Sequence, residues 1–238
     1  MVERAVLVLD GGSELEEIPL ALRALGLASL HAQDLEEPLR QLPDGSAEVG
    51  AVLVPADSLR DSLPALLERI TRPLALAPAA VVPVGTRAGS DAAVELAKRG
   101  LRWALWRPFD ARDLRFVVTQ ALRSRNGEEP RLHPRVPCTL LARLESPLRQ
   151  ARASLTDLSP GGCFAALEEG FSCGARVRVR CELSRGPVAI AGRVAWASGS
   201  DTPAWRDPGI GIEFLEIPDD ARAILVRSVD ERIARYRI

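Results

Sequence analysis

The chain has 238 residues, enough for two ordinary domains, and its 31 basic and 32 acidic residues leave a net charge of -1. That balance excludes a polyanion-coating protein and an acidic disordered tail, and 47% hydrophobic with 26% charged residues excludes wholesale disorder. Aromatics are only 4%, so the cores must be built from Leu, Val, Ile and Ala. From the N-terminus, Arg4–Leu9 is a short apolar run of the kind a buried parallel strand uses, ended by Asp10-Gly11-Gly12. Ser13 has the place of an N-cap, with Glu16 as its capping-box partner, and a helix runs to Leu25 before Gly26. Leu27–His31 reads as a second strand, followed by a poor helix that Pro38 and Pro43 interrupt. Val49–Val54, Ala80–Val84 and Arg102–Leu105 read as further strands, and Ser58–Ile70, Asp91–Arg99 and Ala111–Arg123 as helices. Alternating short strands and amphipathic helices predict an α/β domain with a doubly wound parallel sheet over residues 1–125.

The stretch 126–130 lies in a polar, Gly- and Pro-bearing segment without apolar periodicity and reads as the linker. From 131 to 238 the pattern becomes all-β. Val136–Leu144, Ala151–Leu158, Cys163–Leu167, Val188–Ala197 and Gly209–Leu215 are strand-like. Arg176–Leu183 alternates strictly, with Val177, Val179, Cys181 and Leu183 on one face and Arg176, Arg178, Arg180 and Glu182 on the other. Asp219–Arg235 has apolar residues at helical spacing. Six short antiparallel strands closed by a C-terminal helix predict a small β-barrel.

Cys138, Cys163, Cys173 and Cys181 form no CxxC pair and only His31 and His133 are available to join them, so no metal site is expected. No secretory h-region and no 18-residue apolar stretch is seen, so the chain is expected in the cytoplasm, with reduced thiols and no membrane insertion. Each half is within two charges of neutral and stacking aromatics are sparse, which argues against nucleic acid as a partner.

Two clusters carry chemistry. Arg131 and Arg135 stand four apart just before the first barrel strand, and Asp157, Ser159 and Gly162 form a DxSxxG turn about 22 residues later. An arginine fork pairs bidentately with phosphate oxygens or a guanine edge and stacks on bases. A carboxylate such as that of Asp157 can accept from guanine N1–H and N2–H2, and glycines let a ligand approach the backbone. Together these groups can recognise an anionic guanine nucleotide. Trp196 and Trp205 read as packing at the core's edge, the Arg176/Arg178/Arg180 face as a solvated edge, and His133 as a positioner of the arginine loop. No Ser-His-Asp, paired-carboxylate or P-loop arrangement occurs in believable context, so no enzyme is expected.

In this order and context the motifs resemble the PilZ domain, a bacterial receptor module for cyclic di-GMP. RxxxR stands as Arg131/Arg135 and [DN]xSxxG as Asp157/Ser159/Gly162, with Gly192-Arg193-Val194-Ala195-Trp196 and Gly209-Ile210-Gly211-Ile212-Glu213-Phe214 as further likenesses. The resemblance covers residues 130–238. It implies that the arginines bind the phosphates and guanines of cyclic di-GMP while the turn holds a guanine edge.

Residues 1–125 are similar in outline to a response-regulator receiver domain, with Trp106-Arg107-Pro108-Phe109-Asp110 in the place of its Lys-Pro-Phe region. The phosphorylation apparatus departs from that family: Asp10 stands without an acidic partner, Pro55 falls at the phosphoacceptor with Asp57 displaced from it, and Arg107 replaces the lysine, though Thr86 can fill the hydroxyl position. The resemblance therefore implies a pseudo-receiver serving as a homodimerisation or protein-docking platform. Alternatives are a phosphorylation-controlled response regulator and a PilZ-fold scaffold that binds no nucleotide.

Overall fold

The computed structural model describes residues 3–41, 47–59, 63–87, 89–124, 134–168, 170–198 and 207–238. Two compact units are present: Met1–Pro130 together with Arg235–Ile238, and Arg131–Ala234. The expected linker 126–130 lies outside the described residues. Among those described, no helix is long and apolar enough to cross a membrane.

The first unit is built on five parallel strands: β1 (Glu3–Leu9), β2 (Ser29–Ala32), β3 (Ala47–Pro55), β4 (Val81–Gly85) and β5 (Leu105–Trp106). Their order is β2-β1-β3-β4-β5, the doubly wound order of flavodoxin-like folds. Val6, Leu7, Val8, Ala51, Val52, Leu53, Val81 and Val82 are fully buried, which is why these strands read as continuous apolar runs. The helices are α1 (Glu17–Ala24), α2 (Glu36–Gln41), α3 (Leu63–Thr71), α4 (Ser90–Lys98) and α5 (Ala111–Ser124). Ile18 and Leu22 of α1, with Leu114, Val117, Val118 and Ala121 of α5, enter the core. At the end of α1, Gly26 takes φ 71°. Its N–H donates to the Arg23 carbonyl and that of Leu27 to Leu22, the paired closure of a Schellman motif.

Three local expectations need correction. Ser13 is not an N-cap: it has φ 63°, α1 begins four residues later, and Glu16 at its N-cap makes no capping side-chain bond. The loop is instead held by Asp10. Pro38 does not interrupt α2, because it lies in the first turn, where no N–H is required, while Asp34 accepts from the Glu36 and Glu37 amides. Strand β5 is Leu105–Trp106 rather than Arg102–Leu105. The displaced residues meet the end of the chain instead: Ala104 N–H donates to the Tyr236 carbonyl, and Trp103 bridges Arg237 in antiparallel fashion.

The second unit is a closed antiparallel barrel of β6 (Val136–Glu145), β7 (Gln150–Ser159), β8 (Gly162–Ala166), β9 (Arg176–Leu183), β10 (Gly186–Ala197) and β11 (Gly209–Glu216), in the order β10-β11-β8-β7-β6-β9. Closure removes the exposed strand edges. Helix α6 (Asp219–Ile233) follows, with Leu225 and Val229 buried. Along β9 burial alternates residue by residue, with Val177, Val179, Cys181 and Leu183 inside.

Candidate functional site

The DxSxxG turn joins β7 to β8. Ser159 pairs with Gly162 across it, Leu158 with Cys163 and Asp157 with Phe164. The Ser159 side chain is 4% exposed and its hydroxyl donates to the Gly162 carbonyl at 3.0 Å, so it ties the turn to itself. Gly162 has a packing reason to be glycine: a Cβ there would lie 2.3 Å from the Ile212 carbonyl oxygen on β11. Gly161 faces open space, and its carbonyl accepts from the Phe214 amide.

Arg135 immediately precedes β6. There Val136 pairs with Leu158 and Pro137 with Asp157, so Arg135 is brought alongside the same turn, and its side chain is exposed. Asp157 is half-buried. Both charges are felt at Cys163, inside the barrel. Burial raises that thiol well above its ordinary value, the neighbouring Cys181 and Cys138 thiols raise it further, Arg135 opposes the shift and Asp157 adds to it. Arg135, Asp157, Ser159 and Gly162 therefore meet at one end of the β6–β7–β8 wall. Arg131 and His133 lie outside the described residues, as does Trp205.

Register adds two residues that stand in the further likenesses but outside the RxxxR and DxSxxG motifs. Gly162 pairs with Glu213, and Glu213 with Arg193, whose guanidinium donates to the Glu213 carboxylate at 2.8 Å. That hydrogen bond holds the Arg193 guanidinium above its ordinary range. Only strand pairing puts this ion pair beside the turn, and a single sequence does not give the pairing. Trp196 stacks on Phe164, with centroids 5.3 Å apart, over Gly211, where a Cβ would fall 2.1 Å from the indole nitrogen. The packing reading of Trp196 agrees with that geometry.

In the first unit, the carboxyl ends of the strands form the crevice where doubly wound folds bind ligands. Asp10, at the end of β1, is 2% exposed. Its two carboxylate oxygens accept from the Gly12 and Leu15 amides at 3.1 and 2.7 Å. Pro55 ends β3, with Asp57 exposed beyond it, and Thr86 is exposed after β4. Arg107 donates to the Glu14 carbonyl at 3.0 Å and pairs with Glu17 on α1. A Mg²⁺ site needs several oxygen ligands in near-octahedral array. These residues do not fit one, since the inner carboxylate is already spent on the β1–α1 loop. Among the described residues no group of three His, Cys, Asp or Glu could hold a metal.

A comparison with curated proteins gives no match. Among solved structures, an inhibitor of motility (MotI/DgrA) from Bacillus subtilis is 18% identical over 45% of this chain and 53% of its own, with a TM-score of 0.40. The chain thus corresponds to about half the length of that protein. The PilZ domain of YcgR from Escherichia coli, solved with c-di-GMP, is 17% identical over 45% of this chain and 94% of its own, with a TM-score of 0.38. A response regulator from Thermotoga maritima is 21% identical over 52% of this chain and 100% of its own, with a TM-score of 0.41. The PilZ domain family itself matches residues 129–231, a span that holds both motifs and all six barrel strands. Residues 129–231, within the C-terminal half of this chain, are accordingly a PilZ domain.

Proposed function

We propose that the protein is a non-enzymatic cyclic di-GMP receptor. Arg131 and Arg135 grip the ligand's phosphates and guanines, and the Asp157–Gly162 turn presents an acceptor to a guanine edge. The observation that carries this reading is the register that gathers Arg135, Asp157, Ser159 and Gly162 at one end of the barrel wall. The PilZ family match supports it. Residues 1–125 serve as a platform for a protein partner or a second copy and couple to the barrel domain through the linker 126–130, all within the cytoplasm. Phosphorylation as the input is disfavoured because Asp10 has no acidic neighbour in sequence and both its oxygens accept from backbone amides, while Pro55 stands at the phosphoacceptor position.

Isothermal titration tests the reading. Wild type should bind cyclic di-GMP, and Arg135→Ala should lose roughly ten- to hundredfold in affinity, the worth of a charge-assisted hydrogen bond of about 1.5–3 kcal/mol. Asp157→Ala should weaken cyclic di-GMP but leave cyclic di-AMP no worse bound than before. Wild-type affinity in Arg135→Ala would sink the site assignment. A shift in melting temperature with beryllofluoride and Mg²⁺ would promote the response-regulator alternative.

A further inference from the structure

The outer wall of the barrel carries a second constellation. Arg152 of β7, Arg143 of β6 and Arg180 of β9 stand directly opposite one another across three neighbouring strands. Along β9 the outward face continues through Arg178 to Arg176, which is opposite Arg193 of β10. All six side chains are exposed. Arg180 and Arg193 pair with Glu145 and Glu213. Among the described residues, Arg143, Arg152, Arg176 and Arg178 have no ion-pair partner. Like charges directly opposite on a sheet face repel, so the arrangement is unfavourable by itself.

Apolar tips stand among these charges. Leu141, two residues from Arg143 on the same face, is 86% exposed, and Leu148, in the β6–β7 turn, is 97% exposed. Leu215 is 45% exposed and, with Pro147 of that turn, borders a depression of about 360 Å³ that Arg176 and Arg178 line together with Glu145, which already pairs with Arg180, and Glu216. None of these residues is aromatic, so the face offers bases no stacking platform. A single small anion would relieve one pair of arginines, whereas a layer of negative charge relieves the whole array. Arginine heads with leucine tips between them suit the interface of an anionic bilayer, where charge attracts and the apolar tips enter the headgroup region.

We infer that the outer face formed by β7, β6 and β9 docks reversibly on an anionic lipid surface. Arg152 is five residues along β7 from Asp157, about 16 Å at strand spacing, so the face approaches the DxSxxG turn only at its Arg176 end, opposite Arg193, and does not rest on the cyclic di-GMP reading.

The test is sedimentation of the full chain with vesicles of equal parts phosphatidylglycerol and phosphatidylcholine, against phosphatidylcholine alone. The protein should bind only the anionic vesicles and should come off as salt is raised. Replacing Arg143, Arg152, Arg176 and Arg178 together by Gln should lower the partition coefficient more than about a hundredfold, since each arginine near such a surface is worth about fivefold. That variant should melt no lower than wild type, because it removes like-charge opposition, and a folding defect cannot imitate this combination. The double change Arg143→Gln/Arg152→Gln and, at constant charge, Leu148→Ser should each weaken binding partially. Arg135→Ala should leave vesicle binding unchanged. The inference is overturned if wild type ignores the anionic vesicles, binds the neutral ones equally, or loses nothing in the fourfold variant. It is equally overturned if duplex DNA competes at matched charge while Leu148→Ser has no effect, because the face would then be a general polyanion surface.

Discussion

The two halves of the molecule use their charged residues in opposite ways. In the α/β unit two of the polar groups at the ligand-binding end of the sheet are engaged by the fold itself, while Asp57 and Thr86 stay exposed: Asp10 holds the Gly12 and Leu15 amides, and Arg107 holds the Glu14 carbonyl and the Glu17 carboxylate. In the barrel no charged side chain among the described residues is buried, and the charged residues of β6, β7 and β9 stand outside with few partners. A group engaged by its own backbone has lost most of its capacity to bind anything else, whereas an exposed guanidinium keeps all five donors. The contrast teaches that motif position alone does not make a site. The same crevice that serves doubly wound folds as a ligand site is here a set of internal braces.

The largest expected effect breaks the barrel side of this contrast. Gly162→Ala puts a methyl group 2.3 Å from the Ile212 carbonyl oxygen, a backbone atom that can move only if β8 and β11 separate. The expected loss is at or above the top of the roughly 1–3 kcal/mol typical of overpacking, read as a lowered denaturation midpoint together with lost nucleotide binding. Gly161→Ala, one residue away, faces open space and should be nearly neutral for stability. If the two variants cost the same, closure of the strands does not explain why position 162 is glycine, and ligand clearance becomes its reason.

The next effect sharpens the α/β side. Asp10→Asn keeps the shape but turns one acceptor oxygen into a donor facing a backbone N–H, inside a site that is almost fully buried. Leaving a buried donor unsatisfied costs about 1–3 kcal/mol, so the first unit should unfold at lower denaturant whether or not Mg²⁺ is present. An unchanged or increased stability would return Asp10 to the part of a Mg²⁺ ligand, whose negative charge is a burden when the metal is away.

Most of the fold was legible because each segment declares its own period. The strict alternation of Arg176–Leu183 matches the burial pattern of β9 residue by residue, and the apolar runs at Val49 and Ala80 are the cores of β3 and β4. What misled were interactions that skip along the chain. Ser13 and Glu16 have the letters of a capping box, yet Asp10 reaches across the loop and holds it first. Arg102–Leu105 reads as a strand, but part of that run is bonded by residues more than 130 positions away. The RxxxR and DxSxxG motifs were legible as spacing. Their neighbours Glu213 and Arg193, and the row Arg152–Arg143–Arg180, depend on strand register, which no local pattern in one sequence contains.

The smallest effect concerns that return of the chain end. Within the first unit, Tyr236 packs against Phe116 with centroids 4.9 Å apart, and its hydroxyl donates to the Asp113 carboxylate near the start of α5. Tyr236→Phe keeps the ring and removes only the hydroxyl. The loss should be about 1–2 kcal/mol, because the acceptor is ionised but its other oxygen still accepts from the Asp110 amide. Burial, the hydrogen bond to Asp113 and the Asp113 charge all raise the phenol above its ordinary value near 10. The native state therefore keeps this proton to higher pH than the unfolded chain does. The stabilisation is complete below pH 10 or so and fades as pH climbs beyond it, since the unfolded phenol ionises first. Cys163 and Cys181, the latter pushed up to about 11, erode stability across the same alkaline range, but they do so equally in wild type and variant. The difference between the two chains isolates Tyr236. It should be constant from pH 7 to about pH 9.5 and shrink above that. No difference between the two chains at any pH would mean that the hydroxyl is solvated and that the ring alone fastens the chain end to α5.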